Sequence, residues 1–505
     1  MDKHIKRALI SVYYKDGIEP LARKLNSLGV ELISTGGTYD FITRLGIPCR
    51  TVEEIANAPA MLHGRVKTLN PTIFGGILAQ RDDTEDIKDI SSYSLPLIDL
   101  VVVDLYPFEE TVATGASEED IIEKIDIGGI SLIRAAAKNH KDVVIIPSRK
   151  YYGELLAILE EKGAITTAKE RLRFAKYAFA ITSLYDTAIL RYFDSDASFL
   201  RIAADEQQIL RYGENPHQRG YFFGDLQKVF DKIQGKELSY NNLQDIDAAL
   251  QIIQEFTSLP TFAILKHTNP CGLASATTLH EAWKKAFAAD PESAFGGILI
   301  ANRPIDKETA ESIGELFFEV LIAPDYAREA LEILSKKTNR ILLISNSTNT
   351  VNVSYRSALG GILMQEYDQY SDIEEDCQLV TDKKPSSQEI KDCLFAQRIV
   401  KHCKSNAIAI VKDQQLLASG VGQTSRIAAL KQAIEKAKKF GFTLQGASLG
   451  SDAFFPFSDC VEVAANEGIS AVIQPGGSIR DKDSIEKANE LGISMLLTGK
   501  RHFKH

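Results

Sequence analysis

The sequence predicts an α/β protein built from more than one domain, on three observations. Short apolar runs alternate with amphipathic helical patterns in both halves of the chain. The 505 residues exceed what one hydrophobic core usually organises. Hydrophobic residues make up 44% and charged residues 25%, the balance of a well-packed globular protein. Strand-helix alternation implies parallel sheet with both faces covered.

Ala8 to Val12 reads as the first strand. Ile18, Leu21, Ala22, Leu25 and Leu28 recur at helical spacing, and Gly29 suits the helix end. Val30 to Ile33 is the next strand, followed by Ser34-Thr35-Gly36-Gly37-Thr38 and a short helix ending at Gly46. Leu97 to Leu105 and Val143 to Ile146 are strongly β-like, and residues 166 to 193 form a long helical tract.

Ser195 to Asp205 is the best linker candidate. A second α/β region follows, with strands expected at 261–266, 297–301, 319–322, 341–344, 407–412, 416–419, 470–474 and 493–498. The charged stretch from Asp368 to Asp392 can separate two lobes within it. The domains expected are therefore 1–198, with a core of about 1–148, and 199–505, with lobes of about 199–370 and 371–505. Ile264-Leu265-Lys266-His267 is echoed by Ile399-Val400-Lys401-His402, which hints at internal duplication.

A net charge of −10 without a long basic tract argues against nucleic-acid or membrane-surface binding. Six scattered cysteines with no CxxC pair fit reduced thiols in a cytosol. Met1-Asp2-Lys3-His4 lacks an apolar signal core, and no apolar run has membrane-spanning length.

Several segments carry chemistry. Phe262 to Leu265 delivers Lys266 and His267 to an expected strand end; histidine moves protons near neutral pH and lysine steadies an anion. Ser34 to Thr38 joins a strand to a helix, either as an anion cradle or as an ordinary turn. In Gly64-Arg65-Val66-Lys67-Thr68-Leu69-Asn70-Pro71, extended backbone would place both cations on one side, facing a ligand or solvent. Asp126-Ile127-Gly128-Gly129 precedes a helix with Arg134 and Lys138 on one face. Tyr106 ends the strongest strand of this half. Arg211-Tyr212-Gly213-Glu214-Asn215-Pro216-His217-Gln218 is a dense polar loop whose arginine can clamp a phosphate. Ala294-Phe295-Gly296-Gly297 precedes a strand, and Gly420 to Arg426 leads into a helix. Ser451 to Phe457 sets three aromatics beside polar groups, and the chain ends in Arg501-His502-Phe503-Lys504-His505. Pro270-Cys271 resembles part of a zinc-deaminase motif, but position 274 is Ala and no His-x-Glu partners it, so metal hydrolysis is poorly supported.

Taken in order, these segments resemble the bifunctional purine-biosynthesis enzymes with AICAR transformylase and IMP cyclohydrolase activities. Gly235 to Asn242 and Lys401 to Asn406 strengthen the match, which covers nearly the whole chain. The resemblance implies a methylglyoxal-synthase-like parallel-sheet domain at the N-terminus and a transformylase of two cytidine-deaminase-like lobes after it. It implies a cytoplasmic homodimer, with transformylase sites built across the subunit interface. Small nucleotide and folate substrates are implied, with 10-formyltetrahydrofolate as cosubstrate and no catalytic metal.

By that resemblance Lys266, His267 and Asn406 carry formyl transfer. His267 handles the proton, Lys266 supports the charge and Asn406 orients the formyl group. Arg211, Tyr212, Phe295, Gly296, Glu319, Arg501 and Phe503 hold that substrate. Lys67, Tyr106, Asp126 and Lys138 match the ring-closing positions. Ser11, Lys15, Ser34, Thr35, Gly36, Gly37, Thr38, Arg65 and Thr68 resemble the nucleotide cradle. Two residues depart from the family pattern: Tyr13 stands where a short hydroxyl is usual, and Asp104 where Asn is usual. A bulky ring can crowd a phosphate and a carboxylate can repel it, so the alternative is a transformylase with a weakened or purely nucleotide-binding first domain. Rival readings are a zinc deaminase, a methylglyoxal-synthase-type lyase confined to the first domain, and a non-catalytic nucleotide sensor.

Overall fold

The structure is a computed structural model that describes residues 2–204, 207–346 and 353–505. It divides into two compact units, Met1–Ala204 and Asp205–His505.

The first unit is organised by a five-stranded parallel sheet. The strands are Arg7–Val12, Glu31–Ser34, Arg50–Thr51, Leu100–Asp104 and Val144–Ile146. Leu100–Asp104 is buried at every position, as a sheet covered on both faces requires. It is shorter than the apolar run Leu97 to Leu105, because its pairing with Arg7–Val12 begins at Ala8↔Leu100. From Arg7–Val12 the chain moves outward through Glu31–Ser34 to Arg50–Thr51, then crosses to Leu100–Asp104 on the other side. The strand order therefore reverses between Arg7–Val12 and Leu100–Asp104. Ligands enter open α/β sheets at such a point, beyond the carboxyl ends of the strands. The helix Ala168–Phe193 starts at a capping box formed by Thr167 and Glu170.

The second unit carries one twelve-stranded mixed sheet. Each half of it repeats one order: helix, hairpin, then helix and strand three times. In the first half the leading helix is Tyr240–Ile253 and the hairpin is Thr261–Lys266 with Asn269–Ser275. In the second they are Ser387–Lys401 and Ile408–Lys412 with Gln415–Gly420. The two hairpins share fine detail. Lys266 pairs with Asn269 and Lys412 with Gln415, and the register shifts at Ile264/Leu265 and at Ile410/Val411. Both two-residue turns have positive φ throughout: 50° and 64° at His267 and Thr268, 51° and 54° at Asp413 and Gln414.

The repeat therefore sets Lys266-His267 against Lys412-Asp413. The sequence echo at Lys401-His402 is not part of it, since Lys401 ends a helix and His402 caps it. The setting of Lys266-His267 also differs from the expected strand end. The strand is antiparallel to both neighbours, and the histidine occupies a tight hairpin turn.

Candidate active sites

In the first unit the residues after three adjacent parallel strands meet at one sheet edge: Tyr13 to Lys15, Thr35 to Thr38, and Leu105-Tyr106. Gly36 has φ +50° and opens the helix Gly36–Arg44. A Cβ there would stand 3.0 Å from Lys67 Nζ, and one on Gly64 would stand 2.7 Å from Lys67 Cε. The two glycines thus leave room for the lysine beside the free N–H groups of a helix start. Thr35 Oγ1 is buried there and has no hydrogen-bond partner among the described residues. This combination suits an anion.

Other expected cradle residues are otherwise engaged. Ser34 Oγ donates to Ile10 O at 2.7 Å, and Thr38 Oγ1 donates to Val12 O at 2.9 Å. Both hydroxyls donate to carbonyls of the neighbouring strand Arg7–Val12. Ser11 lies within the first strand, in register with Val103. Lys15 Nζ donates to Val12 O at 2.6 Å and Tyr13 O at 2.9 Å, which pins the loop. Burial lowers the Lys15 pKa, offset in part by Asp104. The 64–71 segment is not extended around Arg65, whose φ of −64° and ψ of −26° are helical. The Arg65 guanidinium pairs with Glu123.

Thr68 is buried, and its Oγ1 lies 3.0 Å from where a Gly128 Cβ would stand. That contact joins it to the Asp126–Gly129 turn. Asp126 accepts from Gly129 N at 2.6 Å and Tyr106 N at 3.4 Å. Its own N–H donates to Tyr185 Oη at 2.8 Å, and that hydroxyl donates to Lys124 O at 2.8 Å. Burial pushes the Asp126 carboxyl up, against the pull of these N–H groups. Burial and then Asp126 raise Tyr106. Lys138 is not brought to this cluster within the unit. It ends the helix Gly128–Lys138 and is exposed, about 15 Å along the axis from the Asp126 end.

The two departures from the family pattern have defined surroundings. A Cβ on Gly37 would meet nothing within 4 Å, and one on Gly36 would meet only Lys67, so Tyr13 does not fill the glycine turn. Tyr13 instead packs edge-on against Tyr106, with ring centroids 5.5 Å apart. Asp104 pairs with neither Lys67 nor Arg65. It is buried, accepts from Tyr14 N at 3.2 Å, and burial raises its carboxyl despite the Arg149 and Lys15 charges nearby.

In the second unit the His267-Thr268 turn adopts left-handed backbone that glycine and asparagine usually supply. Partners hold it there. Thr268 N donates to Asp245 Oδ1 at 2.6 Å, and Asn269 Nδ2 donates to His267 O at 2.9 Å. Lys266 Nζ donates to Phe295 O and Gly296 O, both at 2.9 Å. An ammonium has three protons, so one remains for a ligand. Glu319 lies close by, since its N–H donates to Gly297 O at 3.0 Å, and its carboxylate pairs with Lys236.

Asn269 bridges outward. Its Oδ1 accepts from Lys404 N at 2.9 Å, bringing the 404–406 loop to the histidine turn. Asn406 Oδ1 accepts from Arg426 Nη2 at 2.6 Å and its Nδ2 donates to Gln423 O at 2.8 Å. Arg426 is buried and paired with Asp452, which also accepts from Ala407 N at 3.1 Å. The tail lies along the same loop: Ser405 N donates to Lys504 O at 2.9 Å and His502 N to Asp452 O at 2.9 Å. This places Arg501 and Phe503 beside Asn406, the guanidinium 4.8 Å from the ring centroid. Arg211 stacks on Tyr212 at 4.6 Å and donates to its hydroxyl at 2.7 Å. Both line a cavity of about 340 Å³ with His217, anchored to the start of the Tyr240–Ile253 helix by Tyr240 N to Tyr212 O at 3.2 Å.

Lys401 and His402 serve elsewhere. Both are bonded to Glu255 Oε1, at 2.7 and 3.2 Å, joining the ends of two helices. Burial opposes the Glu255 charge, but hydrogen bonds from His402, Lys401 and Ser371 hold its carboxyl down at about 2. The sequence reading missed Asp245, Arg426 and Asp452 as site groups, and His502 as an anchor. Arg426 and Asp452 lie within the Gly420–Arg426 and Ser451–Phe457 motifs, but no spacing links residues 26 apart. Asp245 lies on a helix interior with no local signal at all. Among the described residues no group of three or more His, Cys, Asp or Glu is placed to hold a metal ion.

Comparison with known proteins gives a consistent result. Residues 136–436 match the family model described as AICARFT/IMPCHase bienzyme, and residues 17–131 match an MGS-like domain. The chain is 58% identical over 504 residues to the bifunctional purine biosynthesis protein PurH of Bacteroides thetaiotaomicron, covering 100% of this chain and 99% of that one. It is 46% identical to the proteins of the same name from Caldicellulosiruptor saccharolyticus, over 517 residues, and Bacillus cytotoxicus, over 514. Each of those two alignments covers 99% of this chain and 100% of the relative.

Proposed function

The chain belongs to the AICARFT/IMPCHase bienzyme family, and from that premise we propose how its two units divide the chemistry. The protein catalyses the last two steps of IMP biosynthesis, formylation of AICAR and dehydrative ring closure of formyl-AICAR. In the proposed division, formyl transfer belongs to residues from about 199 onward and ring closure to residues up to about 198. The formyl donor is 10-formyltetrahydrofolate, and neither step uses a metal.

The observation that carries the assignment of formyl transfer is the bridge from the Lys266-His267 turn to the Asn406 loop through Asn269 and Lys404 N, 2.9 Å long. The 5-amino group of AICAR is a weak nucleophile, because its lone pair delocalises into the imidazole-carboxamide. His267 takes the amine proton as nitrogen attacks the formyl carbon, then gives it to N10 as the formyl carbon–N10 bond breaks and tetrahydrofolate leaves. Lys266 steadies the oxyanion with its remaining proton. Asn406, its oxygen taken by Arg426, presents an N–H to the formyl oxygen. Arg211, Tyr212, Phe295, Gly296, Glu319, Arg501 and Phe503 hold the substrates. Phe295 is 62% exposed and Phe503 44%, which agrees with a homodimer whose partner completes this site.

Ring closure is intramolecular, so holding the carboxamide nitrogen against the formyl carbon supplies much of the rate. Asp126, with its carboxyl raised by burial, and Tyr106 are suited to moving protons. Lys67, Thr35, Gly36 and Gly37 hold the phosphate. Lys138, at the far end of the helix Gly128–Lys138, is not part of this cluster within one chain.

The proposed location is the cytoplasm, in keeping with six free cysteines. No helix among the described residues is long and apolar enough to cross a membrane. Incubation with AICAR and 10-formyltetrahydrofolate, following tetrahydrofolate and IMP separately, tests the whole reading. Both products are expected. Tetrahydrofolate without IMP would remove ring closure from the first unit.

A further inference from the structure

We propose that Tyr13 and Lys124 join Tyr106 as a binding wall for the flat heterocycle of the nucleotide in the first unit. The proposal rests on the reading of that unit as the ring-closing site. Tyr13 follows the strand Arg7–Val12, next to the point where the strand order reverses. Its backbone is fixed: its N–H donates to Asp104 O at 3.2 Å and its carbonyl accepts from Lys15 Nζ at 2.9 Å. The neighbouring Tyr14 ring packs edge-on against Tyr13, with centroids 5.0 Å apart, and is itself fixed by the bond of its hydroxyl to Glu110 and by Arg149, 4.1 Å from its centroid. Held from that side, Tyr13 also meets Tyr106 edge-on, at 5.5 Å and 69°.

Lys124 Nζ stands over both rings, 5.4 Å from the Tyr13 centroid and 6.0 Å from that of Tyr106. Tyr13 and Tyr106 remain 38% and 45% exposed, so part of each residue is open to solvent beside the Asp126 carboxyl. The loop bearing Lys124 is held by the same Tyr185 hydroxyl that fixes Asp126. A cation over two aromatic rings, next to a proton-transfer group, is a surface for a flat π-system with carbonyl oxygens. Imidazole-carboxamide and purine rings have that character. Ribose phosphate alone does not.

The test is calorimetric titration of the full-length protein with IMP and, separately, with ribose 5-phosphate. Wild type is compared with Tyr13→Ser, Tyr13→Phe and Lys124→Gln, after thermal melts show that each variant folds. Tyr13→Ser should weaken IMP by roughly tenfold, the scale of losing one aromatic face from a base. It should leave ribose 5-phosphate within about twofold, and Tyr13→Phe should restore IMP binding, because the hydroxyl is not the recognising group. Lys124→Gln should weaken IMP by about threefold and serves if Tyr13→Ser does not fold. Wild-type affinity for IMP in both Tyr13→Ser and Lys124→Gln overturns the wall while leaving the site reading intact. Equal weakening of both ligands also overturns it, since Tyr13 would then act on the phosphate loop. Wild-type protein that binds no IMP overturns the site reading, and the wall with it.

Discussion

Arg426 reaches Asn406 Oδ1 with Nη2 at 2.6 Å while its other terminal nitrogen is locked onto buried Asp452. The guanidinium thereby decides which end of the Asn406 amide faces outward. Lysine keeps the charge opposite Asp452 but cannot reach two acceptors with one planar fork. Arg426→Lys should therefore lower kcat for formyl transfer by about tenfold or more, with a smaller effect on KM. Arg426→Met should instead destabilise the protein by about 3–5 kcal/mol, because Asp452 is left charged and unpaired. An unchanged kcat in Arg426→Lys would show that Asn406 needs no such orientation.

His267→Ala should cut transformylase turnover by roughly 10²–10⁴-fold, the scale of a lost general acid or base. Ring closure of supplied formyl-AICAR should be unaffected. His402→Ala is the contrasting variant, since His402 is bonded to Glu255 in the second unit. It should cost stability of about 1–3 kcal/mol, seen in denaturant melts, with little loss of turnover in the folded protein. Equal turnover losses at the two positions would remove the basis for choosing His267.

The tail has a pH-dependent anchor. His502 is buried between Asp368 and Asp372. Burial disfavours its charge, but the two carboxylates outweigh that and raise it from 6.5 to about 9. A histidine raised on folding stabilises fully below its unfolded value and loses that contribution as pH climbs through the folded one. Docking of Arg501 and Phe503 should thus hold through neutral pH and weaken as pH passes about 9. Trypsin cleavage after Lys500 and Arg501, corrected for the pH dependence of a peptide standard, should rise across that range. His502→Gln should abolish the step. A tail equally protected on both sides of that range would refute the anchor.

A fragment ending at Ala204 should close the ring of supplied formyl-AICAR and make none from AICAR. The motivation is the boundary between the two compact units at 204/205. A soluble, folded fragment that transfers formyl groups from folate would overturn the division of labour.

Chelation should leave both half-reactions intact, because lysine, histidine, asparagine and carboxyl groups supply the proposed chemistry. Full loss on chelator treatment, restored by zinc, would mean that a metal takes part.

Much of the fold was legible because it depends on local pattern. Strand positions such as Leu100–Asp104 and Ile298–Ala301 follow from apolar runs, and the glycine turns at Gly36 and Gly296 follow from residues that tolerate positive φ. The hairpin at His267-Thr268 was not legible as a turn. Neither residue signals left-handed backbone, and what imposes it is an acceptor on a different element, Asp245. Lys401-His402 looked like a second strand end because four residues cannot distinguish a buried strand from a buried helix.

The sequence by itself determined the α/β class and most of the buried strands, and it nominated the side chains proposed for the chemistry; the strands Phe230–Gln234, Asn269–Ser275 and Ser448–Ser451 were not legible in it. Only the tertiary structure decided which partners those side chains have. Ser34 and Thr38 spend their hydroxyls on neighbouring strands, Arg65 turns to Glu123, and Lys138 lies at the far end of its helix from Asp126. Tyr13, which on sequence alone threatened a phosphate, instead meets Tyr106 and Lys124. The reason is physical: backbone periodicity is set by residues a few positions apart, whereas a polar side chain takes whichever partner the packing of distant elements brings within about 3 Å.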